Sequence, residues 1–230
     1  ERNSFRNISP INLIPAIEYL INSNYSVIRM GKGYKEKFPF SHPKFIDYAV
    51  SNYRNDFLDI WLTANCNFFI ANPISGIASL PMLFNTPRLE LNGFPYGRVN
   101  SWAPMSTHLL RIATKDGKLL SIKELVELDM MGPVDGIYYE KIGVKFLDND
   151  AGEIIEAVKD LEEKIKHGFE PSEVSMKFWK NMKKEWHNGI VSEWSGGYRF
   201  FDYFHEIEGI KATIPDFYLK KYKNIFLDYE

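Results

Sequence analysis

Between residues 9 and 92, short apolar runs alternate with stretches whose apolar residues recur every three or four positions, and the connections are brief. A chain that alternates in this way has few options: the runs become strands of a parallel sheet, and the periodic stretches become the helices that cross over its faces. Ser9-Pro10 opens the first helix, with proline at its first turn. Leu13, Ile14, Ile17, Leu20 and Ile21 follow at helical spacing. Tyr25 to Met30 is a buried strand, turned by Gly31 and Gly33. His42-Pro43 starts a short helix over 42–50. Asn55 or Asp56 caps another through Cys66, with Phe57, Ile60, Trp61 and Ala64 on one face. Asn67 to Ala71 and Pro87 to Asn92 are further strands, separated by a loop over 73–76 and a helix over 77–84.

Residues 93–120 show no period and are expected to form a long loop with short elements. Ser121 with Glu124, and Asp150 with Glu153, are capping boxes that open helices. A strand is expected over 142–147, helices over 150–166 and 172–187, a break at Gly196-Gly197 and a last helix from Pro215. The expected fold is a Rossmann-like parallel sheet flanked by helices over 1–168, followed by a helical, aromatic-rich extension over 169–230, with the weak boundary near Gly168 to Pro171.

Composition narrows the function. The net charge of −2 over 230 residues gives no basic field for nucleic acid. The single cysteine, Cys66, allows no internal disulfide and suits a cytoplasmic protein. No apolar run reaches membrane-spanning length, and no signal peptide is visible. The chain begins Glu1-Arg2-Asn3 without an initiator methionine, which is expected either of a fragment or of a chain whose earlier residues are missing. Of 17 Phe, 13 Tyr and 5 Trp, many follow residue 177 and serve either as core or as an interface.

Several chemistries lack their motif: there is no GxGxxG, GxxxxGK[ST], HExxH or GxSxG, and the five histidines have no metal spacing. Ligands of parallel sheets bind beyond the carboxyl ends of the strands. Arg29, the 71–76 loop and Asn92 fall there. Ser75-Gly76 at a strand-to-helix turn either presents backbone N–H groups to a phosphate or only caps the helix. Arg29 ends a strand and needs an anionic ligand or a carboxylate, Asp56 or Asp59 being at hand. Asp56 and Asp59 share a helix face and serve as acid and base, as hydrogen-bond partners of a nucleoside, or as caps. His42 reads as a proton carrier or a cap, while His187 and His205, in the aromatic tail, carry no assignment.

In order along the chain, Arg2-Asn3-Ser4, Ile14 to Leu20, Tyr25 to Gly31, Asp56 to Ile60, Asn67 to Ile70, Ser75-Gly76, Pro81 to Phe84, Phe146 to Asn149 and Glu153-Ile154 resemble a family of bacterial glycosyltransferases. The resemblance covers about two-thirds of the chain. It implies one half of a GT-B fold, the C-terminal donor-binding domain, distantly similar to fucosyltransferase-type enzymes and found among surface-polysaccharide functions. A nucleotide diphosphate sugar would be the donor substrate and a glycan the acceptor, with no cofactor or metal, and an upstream domain or partner chain would complete the enzyme. Arg29, Ser75 and Gly76 would take the phosphates, with Arg2 and Asn3 nearby; Asp56 or Asp59 would orient the nucleoside or support Arg29. The sequence departs from the family at Asn72-Pro73-Ile74, where a small or hydroxyl-rich approach is usual. The alternatives are a non-catalytic nucleotide-binding or protein-interaction module, and a sugar-nucleotide epimerase.

Overall fold

The structure, a computed structural model, describes residues 8–72, 76–132, 136–188 and 209–228. It is a mixed α/β arrangement in which parallel strands are flanked by helices. Helix α1 (Pro10–Asn22) starts at the proline that the sequence marks. Its Ala16, Ile17, Leu20 and Ile21 are buried. Strand β1 (Val27–Ile28) pairs in parallel with β2 (Phe45–Ile46). The stretch over 42–50 is therefore not one helix: it makes a strand followed by a 3-10 turn, Tyr48–Val50. Two β-prone residues here gain more from pairing with β1 than from an isolated helical turn.

Helix α2 (Asp56–Asn65) is capped by the Asn55 side chain, which accepts from the Leu58 N–H at 2.9 Å. It leads to β3 (Phe69–Ala71), which pairs in parallel with β4 (Arg88–Gly93), and β4 pairs in parallel with β5 (Ser106–Leu110). A 3-10 turn, Gly76–Ser79, and α3 (Leu80–Phe84) lie between β3 and β4. Tyr25 and Phe68, just before β1 and β3, meet edge to face at 5.4 Å. Strand β4 is buried along its whole length, as expected of a central parallel strand covered on both faces.

The stretch over 93–120 is not a long loop. Besides β5 it holds β6 (Ile112–Lys115) and β7 (Lys118–Leu119), and β6 pairs antiparallel with both β7 and β8 (Val144–Leu147). Helices α4 (Ile122–Glu127) and α5 (Gly136–Lys141) lie between β7 and β8. Both expected capping boxes are present: Ser121 with Glu124 opens α4, and Asp150 with Glu153 opens α6 (Ala151–His167). Ile154, Ala157, Val158 and Leu161 of α6 join Leu89, Leu91 and Leu109 in one buried cluster. Asn149 ties α6 to the sheet: its Oδ1 accepts from the Asn92 N–H at 2.6 Å, and the Asn92 Oδ1 accepts from the Asn149 N–H at 2.8 Å.

The described helices after residue 168 enter the same core. Helix α7 (Glu173–Asn188) contributes Phe178, Trp179 and Met182, while α8 (Asp216–Lys221) and α9 (Lys223–Phe226) contribute Tyr218, Leu219, Ile225 and Phe226. Thr213 bonds in parallel beside β5, with its N–H on the Ser106 carbonyl and its carbonyl on the His108 N–H, both at 2.9 Å. The tail aromatics that are described here thus pack as core. Gly196-Gly197 and His205 lie outside the described residues, as does the His187 side chain. Among the described residues, no helix is long and apolar enough to cross a membrane.

Candidate functional site

In parallel sheets ligands sit beyond the carboxyl ends of the strands, β1 and β3 among them. Beyond β1 the chain turns at Gly31 and Gly33, whose φ angles are +138° and +85°. A Cβ at Gly31 would lie 2.5 Å from the Tyr34 ring and displace it, and the φ of +138° itself disfavours any residue but glycine. That ring packs between the Gly31 backbone and the Arg29 guanidinium, whose carbon sits 4.2 Å from the ring centroid. Gly33 is exposed, and a Cβ there would meet nothing within 4 Å.

Arg29 sits at the end of β1, as the sequence implies, but its carboxylate is Asp47. Its Nη1 donates to Asp47 Oδ1 at 3.1 Å and to the Glu36 carbonyl at 3.2 Å. Asp47 also accepts from the Phe38 N–H at 2.8 Å, so the pair pins both sides of the 31–44 loop. Neither Asp56 nor Asp59 reaches Arg29. Asp56 is exposed in the first turn of α2. Asp59 accepts from Arg54 Nη2 at 2.5 Å, and Arg54 Nε donates to the Gly31 carbonyl at 3.0 Å. Both arginines at this edge are therefore neutralised and serve to hold the turn. Asp47 escaped sequence reasoning because 42–50 read as a helix, which hid the strand that carries it to β1.

Beyond β3, Gly76 is exposed, and a Cβ would meet nothing within 4 Å. Ser75, Arg2 and Asn3 lie outside the described residues. His42 is exposed in a turn, where its Nδ1 accepts from the Lys44 N–H at 3.1 Å. Among the described residues, no three His, Cys, Asp or Glu side chains come together as a metal ion would require.

A second polar group lies deeper. Arg88, Glu90, Ser106 and His108 share one face of β4 and β5, where Arg88 pairs in register with Ser106 and Glu90 with His108. Arg88 Nη2 is 3.1 Å from Glu90 Oε1, His108 Nδ1 is 3.2 Å from Glu90 Oε2, and Arg88 Nε donates to Ser106 Oγ at 2.6 Å. All four residues are buried. Burial alone would raise the Glu90 carboxyl, but His108 and the Arg88 charge outweigh it and hold it below its ordinary value. The Arg88-x-Glu90-x-Asn92 alternation was the available signal in the sequence: polar side chains at every second position of a central strand need partners on their own face.

Comparison with profiles of protein families, with curated proteins and with solved structures returned no match.

Proposed function

We propose that the chain is the donor-binding half of a GT-B glycosyltransferase, which transfers a sugar from a nucleotide diphosphate sugar to a glycan acceptor. The observation that carries this reading is the glycine turn beyond β1, open to solvent at Gly33, together with the exposed Gly76 that opens the 3-10 turn after β3. Parallel α/β sheets bind their ligands at such ends. Backbone N–H groups at Ser75–Gly76 would donate to the phosphate oxygens, and basic side chains at the edge would stabilise the departing diphosphate. In this reading Arg29 and Asp47 shape the first turn, Asp59 holds Arg54 against it, and an upstream domain or partner chain supplies the acceptor site. Arg29→Ala then acts by releasing the loop and leaving Asp47 unpaired.

The reading is tested by a thermal-shift series with UDP, GDP, CDP and their sugars. A ligand at a hundred times its Kd stabilises by about 2.7 kcal/mol, which in a chain of this size raises Tm by roughly 5–10 °C. One nucleotide class is expected to produce that rise. If no nucleotide moves Tm at millimolar concentration, the donor-binding reading is wrong.

A second reading, a module that binds another protein, is favoured by one face of α2. Phe57, Ile60 and Trp61 are exposed there, and Leu83 and Phe84 of α3 are exposed as well.

A further inference from the structure

The turn beyond β1 carries more free positive charge than anything packed beneath it uses. Residues 32–37 read Lys-Gly-Tyr-Lys-Glu-Lys, three cations against one carboxylate, in a chain whose net charge is −2. Lys32, Lys35 and Lys37 are exposed, and none has a carboxylate partner among the described residues. The loop that bears them is nevertheless anchored from inside: Arg29 holds the Glu36 carbonyl, Asp47 holds the Phe38 N–H, and the Phe38 and Phe40 rings pack on Phe45 at 5.4 Å. The half-buried arginines thus fix the backbone, while the lysines are left outside with their charge unspent.

We propose that Lys32, Lys35 and Lys37 form the cationic site that receives the diphosphate of the ligand, in place of Arg29. The inference rests on the donor-binding reading and names the residues that meet the charge. A guanidinium already shared between Asp47 and the Glu36 carbonyl has little attraction left for a second anion, because the pair is neutral. A lysine ammonium is a compact charge on a flexible stem, so three of them can converge on one diphosphate from separate positions in a turn. Gly33, between the first two lysines, lies open and lets a phosphate approach the backbone closely. Glu36, the one acidic side chain in this stretch, leaves the segment with a net charge of two.

The test is calorimetric titration of the full chain with inorganic pyrophosphate and with UDP, GDP and CDP. Three proteins are compared: the wild type, the triple variant Lys32→Gln/Lys35→Gln/Lys37→Gln, and a control in which the exposed Lys118, Lys123 and Lys141 are changed to Gln. The loop variant is expected to lose roughly ten-fold or more in affinity for pyrophosphate and for the nucleotide that binds, and its affinity should depend less on salt. The control removes the same charge elsewhere and should bind as the wild type does. Wild-type binding that survives in the loop variant overturns the lysine site and leaves the donor-binding reading standing. Equal losses in both variants reduce the effect to net charge and overturn the site too. A wild type that binds neither pyrophosphate nor any nucleotide overturns both.

Discussion

Glu90 shows how far a single residue can be read. The sequence displays it plainly, between Leu89 and Leu91 in a central strand, yet no spacing rule names its partners, because His108 comes from β5, which itself went unread. Arg29 makes the same point from the other side: a charge at a strand end was legible as needing a counter-charge, but Asp47 was hidden by a misassigned helix. For Glu90 the physical consequence is sharp. Replacing it with Gln leaves the buried Arg88 guanidinium without its carboxylate, which costs about 3–5 kcal/mol, whereas replacing the pair together as Arg88→Met/Glu90→Leu should cost much less. Urea denaturation of both variants checks this through the midpoint, with the slope unchanged. The pH dependence has a definite sign. Glu90 is held below its ordinary carboxyl value in the folded state, so its contribution is present in full above the unfolded pKa of about 4.3 and is lost as pH falls through the lower, folded value. Wild type should therefore lose stability more steeply than Glu90→Gln below about pH 4.

Elements were legible where their signal is local. The two capping boxes need only four consecutive residues each, and both formed as written. The helices α1, α2, α6 and α7 were legible because an apolar stripe repeats over several turns. Strand β5 is hard to read because Ser106, Thr107 and His108 are polar and nonetheless buried: Arg88 donates to Ser106, Thr107 bonds Thr213, and His108 sits against the Glu90 carboxylate. Strand β2 is too short to show any period. The α2 stripe was seen, but which face it turns to solvent was not: Phe57, Ile60 and Trp61 are outside. A local signal makes a local prediction. The Asp150 side chain accepts from the Glu153 N–H at 2.8 Å and starts the 17-residue α6. Asp150→Ala should cost about 1 kcal/mol, and Asp150→Asn should retain most of it, since asparagine caps equally well. Lys221 Nζ meets Asp150 at 3.2 Å and the buried Glu153 Oε1 at 2.7 Å, so Lys221→Gln should lower the urea midpoint as well, because it takes the cation away from a buried carboxylate.

At the scale of the whole molecule, the Gly168 turn looks like a boundary only along the chain. In space the segments on either side share one core: Phe178 stacks edge to face on Trp179 at 4.9 Å, Phe226 lies 5.6 Å from Phe178 and 5.9 Å from Tyr96, and Trp179 Nε1 donates to the Ala212 carbonyl at 3.2 Å. Thr213 adds a further parallel pairing to β5, which sequence cannot foresee, because the two partners are separated by more than a hundred positions. A chain ended at residue 168 would expose Tyr96, Leu110 and the open edge of β5 together, and each buried large apolar side chain it uncovers is worth about 1.5–3 kcal/mol. Several such losses exceed the 5–15 kcal/mol that holds a domain of this kind together. The shortened chain should therefore keep far-ultraviolet helix signal but lose its near-ultraviolet aromatic signal, bind the dye ANS and melt without a sharp transition. A cooperative melt near the full-length Tm would instead make 169–230 an accessory, and the β5 edge would then not depend on Thr213 and the helices that follow it.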